Sequence, residues 1–124
     1  MKKILCVTAG GGLGALLRYQ MEGWIQDRLG ASFPYGTLIV NLSGAFGIGF
    51  LMTLFLEHIE IPPEWRLFLV VGVLGGYTTF SSLTWEAYQL WANGGAGGSL
   101  LYAMGTFIGG FAALLAGVLL GRLV

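Results

Sequence analysis

Charge is scarce in this chain. Asp, Glu, Lys and Arg make up 10% of its 124 residues, six basic against six acidic, and the formal net charge is +0. A soluble domain carries roughly 25% charged residues. So little charge cannot cover a water-facing surface, and the cancelling signs exclude both a basic field for nucleic acid and an acidic tail for a cationic partner. No soluble protein partner is implied either. The single cysteine, Cys6, excludes an internal disulfide and reads as a small apolar residue, packed or facing lipid. The single histidine, His58, stands between Glu57 and Glu60 in a short loop, and with no second ligand cluster it reads as a solvated surface residue, not a metal ligand. No nucleophile has a base beside it, so enzyme chemistry is not expected.

What the chain has is apolar length. Hydrophobic residues make up 56% of it, with 22 glycines. Four spans stand out, at about 4–26, 35–57, 64–91 and 99–122, each reaching the ~20 residues that a bilayer core of about 30 Å requires. Trp24, Phe33, Tyr35, Trp65, Trp91 and Tyr102 lie near their edges, as an interfacial belt would have them. Short connections make consecutive spans antiparallel neighbours in one bundle, so the expected fold is a single all-α membrane domain over 1–124. Lys2-Lys3 before an apolar run imitates a signal peptide, but Arg18 interrupts it and no A-x-A cleavage pattern follows. Gly10-x-Gly12-x-x-Ala15 imitates a dinucleotide fingerprint without the alternating strands and soluble helices that the turn needs. Asn41-Leu42-Ser43 is a glycosylation sequon in form only, since it falls inside a span. Spacing explains the glycines better. Gly10 and Gly14, Gly72 and Gly76, Gly105 and Gly109, and Gly117 and Gly121 form small-xxx-small faces that let helices approach closely in lipid.

The polar residues inside the spans carry the functional signal. Arg18 lies about 20 Å along the first span, near the far interface or inside it, and Glu22, one turn on, can pair with it as a snorkelling couple, or Arg18 can attract anions to a vestibule. Asn41 shares a face of the second span with Thr37 and Gly44, and serves either as glue between helices or as part of a wet path. The third span holds GGYTTFSS, Gly75 to Ser82. As one straight helix from Glu64 to Trp91 it would run about 42 Å, longer than the hydrocarbon core. A break near Gly75–Thr78 is therefore expected, with Thr78 and Thr79 satisfying the freed backbone. Such a break presents carbonyls at the end of one half-helix and N–H groups at the start of the next. Broken helices of this kind recur at transporter binding sites. The hydroxyls of Thr78, Thr79, Ser81 and Ser82 suit a small anion, and the carbonyls a small cation.

Gly-Gly-x-x-Gly-Ala-x-x-Arg-Tyr over Gly10 to Tyr19, then Pro34-x-Gly36-Thr37-Leu38-x-Val40-Asn41-x-x-Gly44, then Trp65-Arg66 with Gly72 and the Gly75 to Ser81 run, resembles the Fluc (CrcB-like) family of fluoride channels over nearly the whole chain. The resemblance implies an antiparallel, dual-topology homodimer in a bacterial inner membrane, exporting fluoride passively through two pores. It also implies a structural sodium ion at the two-fold axis, held by the carbonyls of Gly75 and Thr78 from both copies. Asn41 and Phe80 would line the pores with Thr37 nearby, and Thr79, Ser81 and Ser82 would add hydroxyls. Arg18, Glu86 and Tyr102 are the vestibule candidates. At Leu83 the family pattern has a second phenylalanine. Leucine has no ring quadrupole to offer an anion, so weak conduction or none is expected, with Leu83→Phe raising it. Lys2, Lys3, Arg66 and Arg122 against Arg28, joined by Arg18 if that residue reaches the far interface, lean towards cytoplasmic termini, so insertion in both orientations rests on the resemblance. Two other readings stay open: a small dual-topology proton-coupled cation or multidrug exporter, which needs a carboxylate near the middle of the first span, and a non-transporting assembly subunit.

Overall fold

Proline and glycine punctuate the chain. Pro34 stands at the entry of the second helix and Pro63 in the first turn of the third, where a missing N–H costs nothing. Gly30 and Gly94, with φ of 87° and 85°, follow the ends of two helices and turn the chain in the left-handed region that other residues avoid. The computed structural model describes residues 1–124. It contains α1 (Lys2–Leu29), α2 (Tyr35–His58), α3 (63–77), α4 (Phe80–Ala92) and α5 (Ala96–Leu123), and no strand. Two stretches are π-wound, Leu54–His58 at the end of α2 and Leu67–Leu74 within α3. The helices run slightly past the ends expected from the sequence. The largest extension at an entry is in α5, which starts at Ala96 because Ser99 N–H reaches Gly95 O at 2.8 Å and draws Gly97-Gly98 into the first turn.

Glycine sets which helices touch. A Cβ on Gly10 would lie 2.9 Å from Gly72 Cα, and one on Gly14 would lie 2.8 Å from Tyr77 N. Both partners advance together along the chain, so α1 and α3 run parallel. On the other side, a Cβ on Gly117 would lie 2.9 Å from Phe50 N and one on Gly121 would lie 2.9 Å from Thr53 Cβ, which sets α5 parallel to α2. Two parallel pairs joined by short connections make an up-down-up-down bundle. Gly105 and Gly109 behave differently: Gly105 faces open space and Gly109 only ordinary contact with Leu42 at 3.4 Å. That face makes no close backbone approach to another helix of its own chain.

Few residues leave the solvent. Only 14 of 124 are buried, and the buried hydrophobic residues are Ile25, Val40 and Tyr102. The buried threonines Thr53 and Thr106 satisfy their hydroxyls on their own helices, at Gly49 O (2.8 Å) and Tyr102 O (2.6 Å). Large apolar side chains point outward along whole helices, with Phe107 at 77% and Leu101 at 70% exposure. Water does not tolerate an apolar surface of that extent. Tyr35–His58, Pro63–Ala92 and Ala96–Leu123 are each long and apolar enough to cross a membrane.

Candidate functional site

The helix from Pro63 to Ala92 is broken, and the break falls at Thr78-Thr79. Thr78 (φ −79°, ψ 156°) and Thr79 (φ −147°, ψ 121°) are extended. Gly75 and Gly76, the residues expected to interrupt the span, stay helical, with Gly75 at φ −64° and ψ −36°. The physical reason is packing: a Cβ on Gly76 would lie 3.1 Å from Gly11 Cα, so that glycine is needed for the approach of α3 to α1. The threonines make the break affordable. Thr78 Oγ1 donates to Leu74 O at 3.0 Å and closes α3, while Thr79 Oγ1 accepts Ser82 N–H at 3.2 Å and caps α4. Asn41 supplies what remains. Its Nδ2 donates to Thr79 O at 2.9 Å and its Oδ1 accepts Thr79 N–H at 2.8 Å, so one side chain pairs both backbone groups of the extended residue. Gly44, one turn beyond Asn41, leaves room for the Thr78 methyl.

Arg18 also belongs to the break. Its Nε donates to Gly76 O at 3.2 Å, and it makes no ion pair with Glu22. The pairing expected from their spacing is lost because the carbonyl at the end of α3 offers a fixed acceptor within reach. Arg18 therefore lies apart from the other two vestibule candidates. Glu86 and Tyr102 are joined directly, Tyr102 OH donating to Glu86 Oε2 at 2.6 Å, while Thr37 Oγ1 donates to Glu86 Oε1 at 2.8 Å. One carboxylate thus ties α2, α4 and α5 together. It sits in a polar cavity of about 830 Å³ at the end of the bundle, with Glu22, Asp27, Gln89 and Asn93 among its walls.

A second, apolar groove of about 580 Å³ starts at the break. Asn41, Thr78, Thr79, Phe80 and Leu83 line it from one side, and Thr106, Phe107 and Phe111 of α5 from the other. Phe80, 77% exposed, presents its ring at the rim. Ser81 and Ser82 do not join the groove. Ser81 Oγ lies 3.5 Å from Thr79 Oγ1 on the exposed side, and Ser82 contributes its backbone N–H to the cap. The α5 wall had no clear sequence signal apart from Thr106, a lone hydroxyl in an apolar run. Gln89 and Asn93 had none either, since polar residues near the end of a span look like an ordinary interface.

Polar cavity, clamped break and aromatic-rimmed groove follow one another along the bundle, joined through Thr37, Asn41 and the start of α4. The carbonyls of Gly75 and Thr78 receive no hydrogen bond from another element. The arrangement offers neutral donors and ring edges to an anion, and free oxygen donors to a cation.

Comparison with known proteins gives the same direction. Over residues 5–118 the chain matches the family described as CrcB-like protein, Camphor Resistance (CrcB). A protein of Solibacter usitatus is 49% identical over 120 residues, covering 97% of this chain and 98% of its own length. One from Thermus thermophilus is 50% identical over 125 residues, covering 100% and 98%. One from Chloroflexus aurantiacus is 42% identical over 122 residues, covering 98% and 97%. Each of the three bears the name fluoride-specific ion channel FluC. With likeness running end to end at such identity, the chain belongs to the CrcB-like family.

Proposed function

We propose that this chain is a fluoride channel of a bacterial inner membrane and not an enzyme. The observation that carries the reading is the break clamped by Asn41 between a polar cavity and a groove rimmed by Phe80, in a chain whose full-length relatives are named for fluoride conduction. Fluoride holds its hydration tightly, so a path must replace water with converging donors without binding so strongly that the ion stays. Asn41 suits that role because Nδ2 carries two hydrogens and Thr79 O uses one. The other is left for an anion. Thr37, beside Glu86, stands on the way from the cavity to the break.

In this reading α1 is the fourth span, with Arg18 and Glu22 near one membrane face, and two copies assemble antiparallel. Support for a second copy comes from the outward face that includes Phe80, Phe107 and open Gly105. The oxygen donors at Gly75 and Thr78 fit a sodium ion, being hard, uncharged and free of hydrogen bonds from other elements. When bound there, it supplies a fixed positive charge that does not titrate. The carbonyls of Gly75 and Thr78 would hold it, and Thr78 Oγ1, committed to Leu74, keeps the peptide between them in place. Leu83 lines the groove where a second ring would extend the path of Phe80, so conduction is weak for the family. Expression in bacteria that lack a fluoride exporter should restore growth in fluoride medium, and Asn41→Leu should not. Growth that stays as poor as with empty vector, for membrane-inserted wild type and Leu83→Phe alike, would remove the reading.

A further inference from the structure

Glu22 holds the one buried side-chain oxygen in the protein that lacks a hydrogen-bond partner, Oε1. Its surroundings explain why no donor reaches it. Arg18, one turn back on α1, is turned to Gly76 O. Thr37 of α2 and Tyr102 of α5 both give their hydroxyl hydrogens to Glu86 of α4. Gly36, at the start of α2, presses against the Glu22 backbone so closely that a Cβ there would lie 3.3 Å from Glu22 Cβ. This contact fixes the Glu22 backbone and Cβ against the start of α2, beside the cavity that the side chain lines. The same cavity is walled by three acids, Glu22, Asp27 and Glu86, and by no Lys or Arg. An anion entering while all three are ionised meets like charge in a confined space.

We propose that Glu22 is a further residue of the conduction path, carrying a proton so that an O–H and not a bare carboxylate meets the anion at the mouth. The proposal rests on the reading of the chain as a fluoride channel. A protonated carboxyl adds one donor to the neutral donors deeper in the path and removes one negative charge from the wall that Glu22 shares with Glu86. When the proton leaves, the donor becomes a repelling charge. Conduction therefore falls as pH rises and returns as pH is lowered.

Fluoride efflux from liposomes held at the same pH inside and out, followed from acid to alkaline, reads this directly. Wild type should lose flux severalfold towards alkaline pH. Glu22→Gln keeps a donor that cannot be titrated away, so its profile should be flat and should exceed wild type severalfold at the alkaline end. A Glu22→Gln profile that falls like that of wild type overturns the proposal. Should neither protein conduct at any pH, the fluoride reading itself fails, and infrared spectroscopy of the liposome-embedded protein still decides the proton. A protonated-carboxyl band at neutral pH that is missing from Glu22→Gln upholds the assignment, and a wild-type spectrum without that band overturns it.

Discussion

Asn41 does two things with one amide, and the sequence disclosed only that it had to do something. Its position inside a span left glue and path equally open. The residue that it pairs with, Thr79, is 38 positions away, and no local pattern announces such a partner. Replacing Asn41 by leucine strips the pairing from both backbone groups of Thr79, at a cost of about 1–3 kcal/mol for each group left unsatisfied. Asn41→Leu is therefore expected to abolish fluoride efflux and also to lower the unfolding midpoint in detergent. A variant that loses flux at unchanged stability would confine Asn41 to the path. Leu83 is the opposite case, legible in the sequence as a departure and placed by the structure in the same groove as Phe80. Its aliphatic surface gives a desolvated anion nothing. Leu83→Phe should raise efflux severalfold with stability unchanged, as compared at equal protein density, and an unchanged or lower rate would make the second ring dispensable here.

Among the elements, the broken third span was legible as an excess of length and hydroxyls, but its position was not. Glycine is the commonest helix breaker, so Gly75-Gly76 attracted the expectation. In the folded chain Gly76 is taken up by the approach of α3 to α1, and the extended residues are the two threonines, held by their own hydroxyls and by Asn41. Propensity weakened the helix, and tertiary partners chose where it opened. The glycine spacings were more informative about packing: three of the four pairs face backbone or Cβ of a neighbouring helix, and only Gly105 with Gly109 does not. Gly14→Ala and Gly76→Ala should each destabilise the protein by about 1–3 kcal/mol, because the added methyl meets backbone that cannot give way. Gly12→Ala, with open space around it, should be nearly neutral. Equal thermal midpoints for all three variants would contradict the packing of α1 on α3.

The whole molecule has an outer surface that neither water nor its own chain covers, part of it proposed to face lipid and part a second copy. Gly75 tests the division. In a single chain its side meets nothing nearer than Val70 O at 3.9 Å, so Gly75→Leu should leave the fold of one chain intact while weakening the dimer in cross-linking and size-exclusion measurements. An unaffected dimer would move the two-fold axis elsewhere. Thorough removal of sodium should likewise loosen the dimer, since a ligand specific to the assembled state stabilises it; full insensitivity over long incubation counts against the ion. The membrane class was plain from composition, whereas the second copy has no trace in any local pattern and came only from family likeness. Above these details stands the claim that the chain conducts fluoride, and electrode-monitored efflux from liposomes loaded with fluoride or chloride tests it most directly. Fluoride release above that of protein-free liposomes, increased by Leu83→Phe, with chloride retained, is the expected result; no fluoride release from either protein, or chloride released as readily as fluoride, would contradict it.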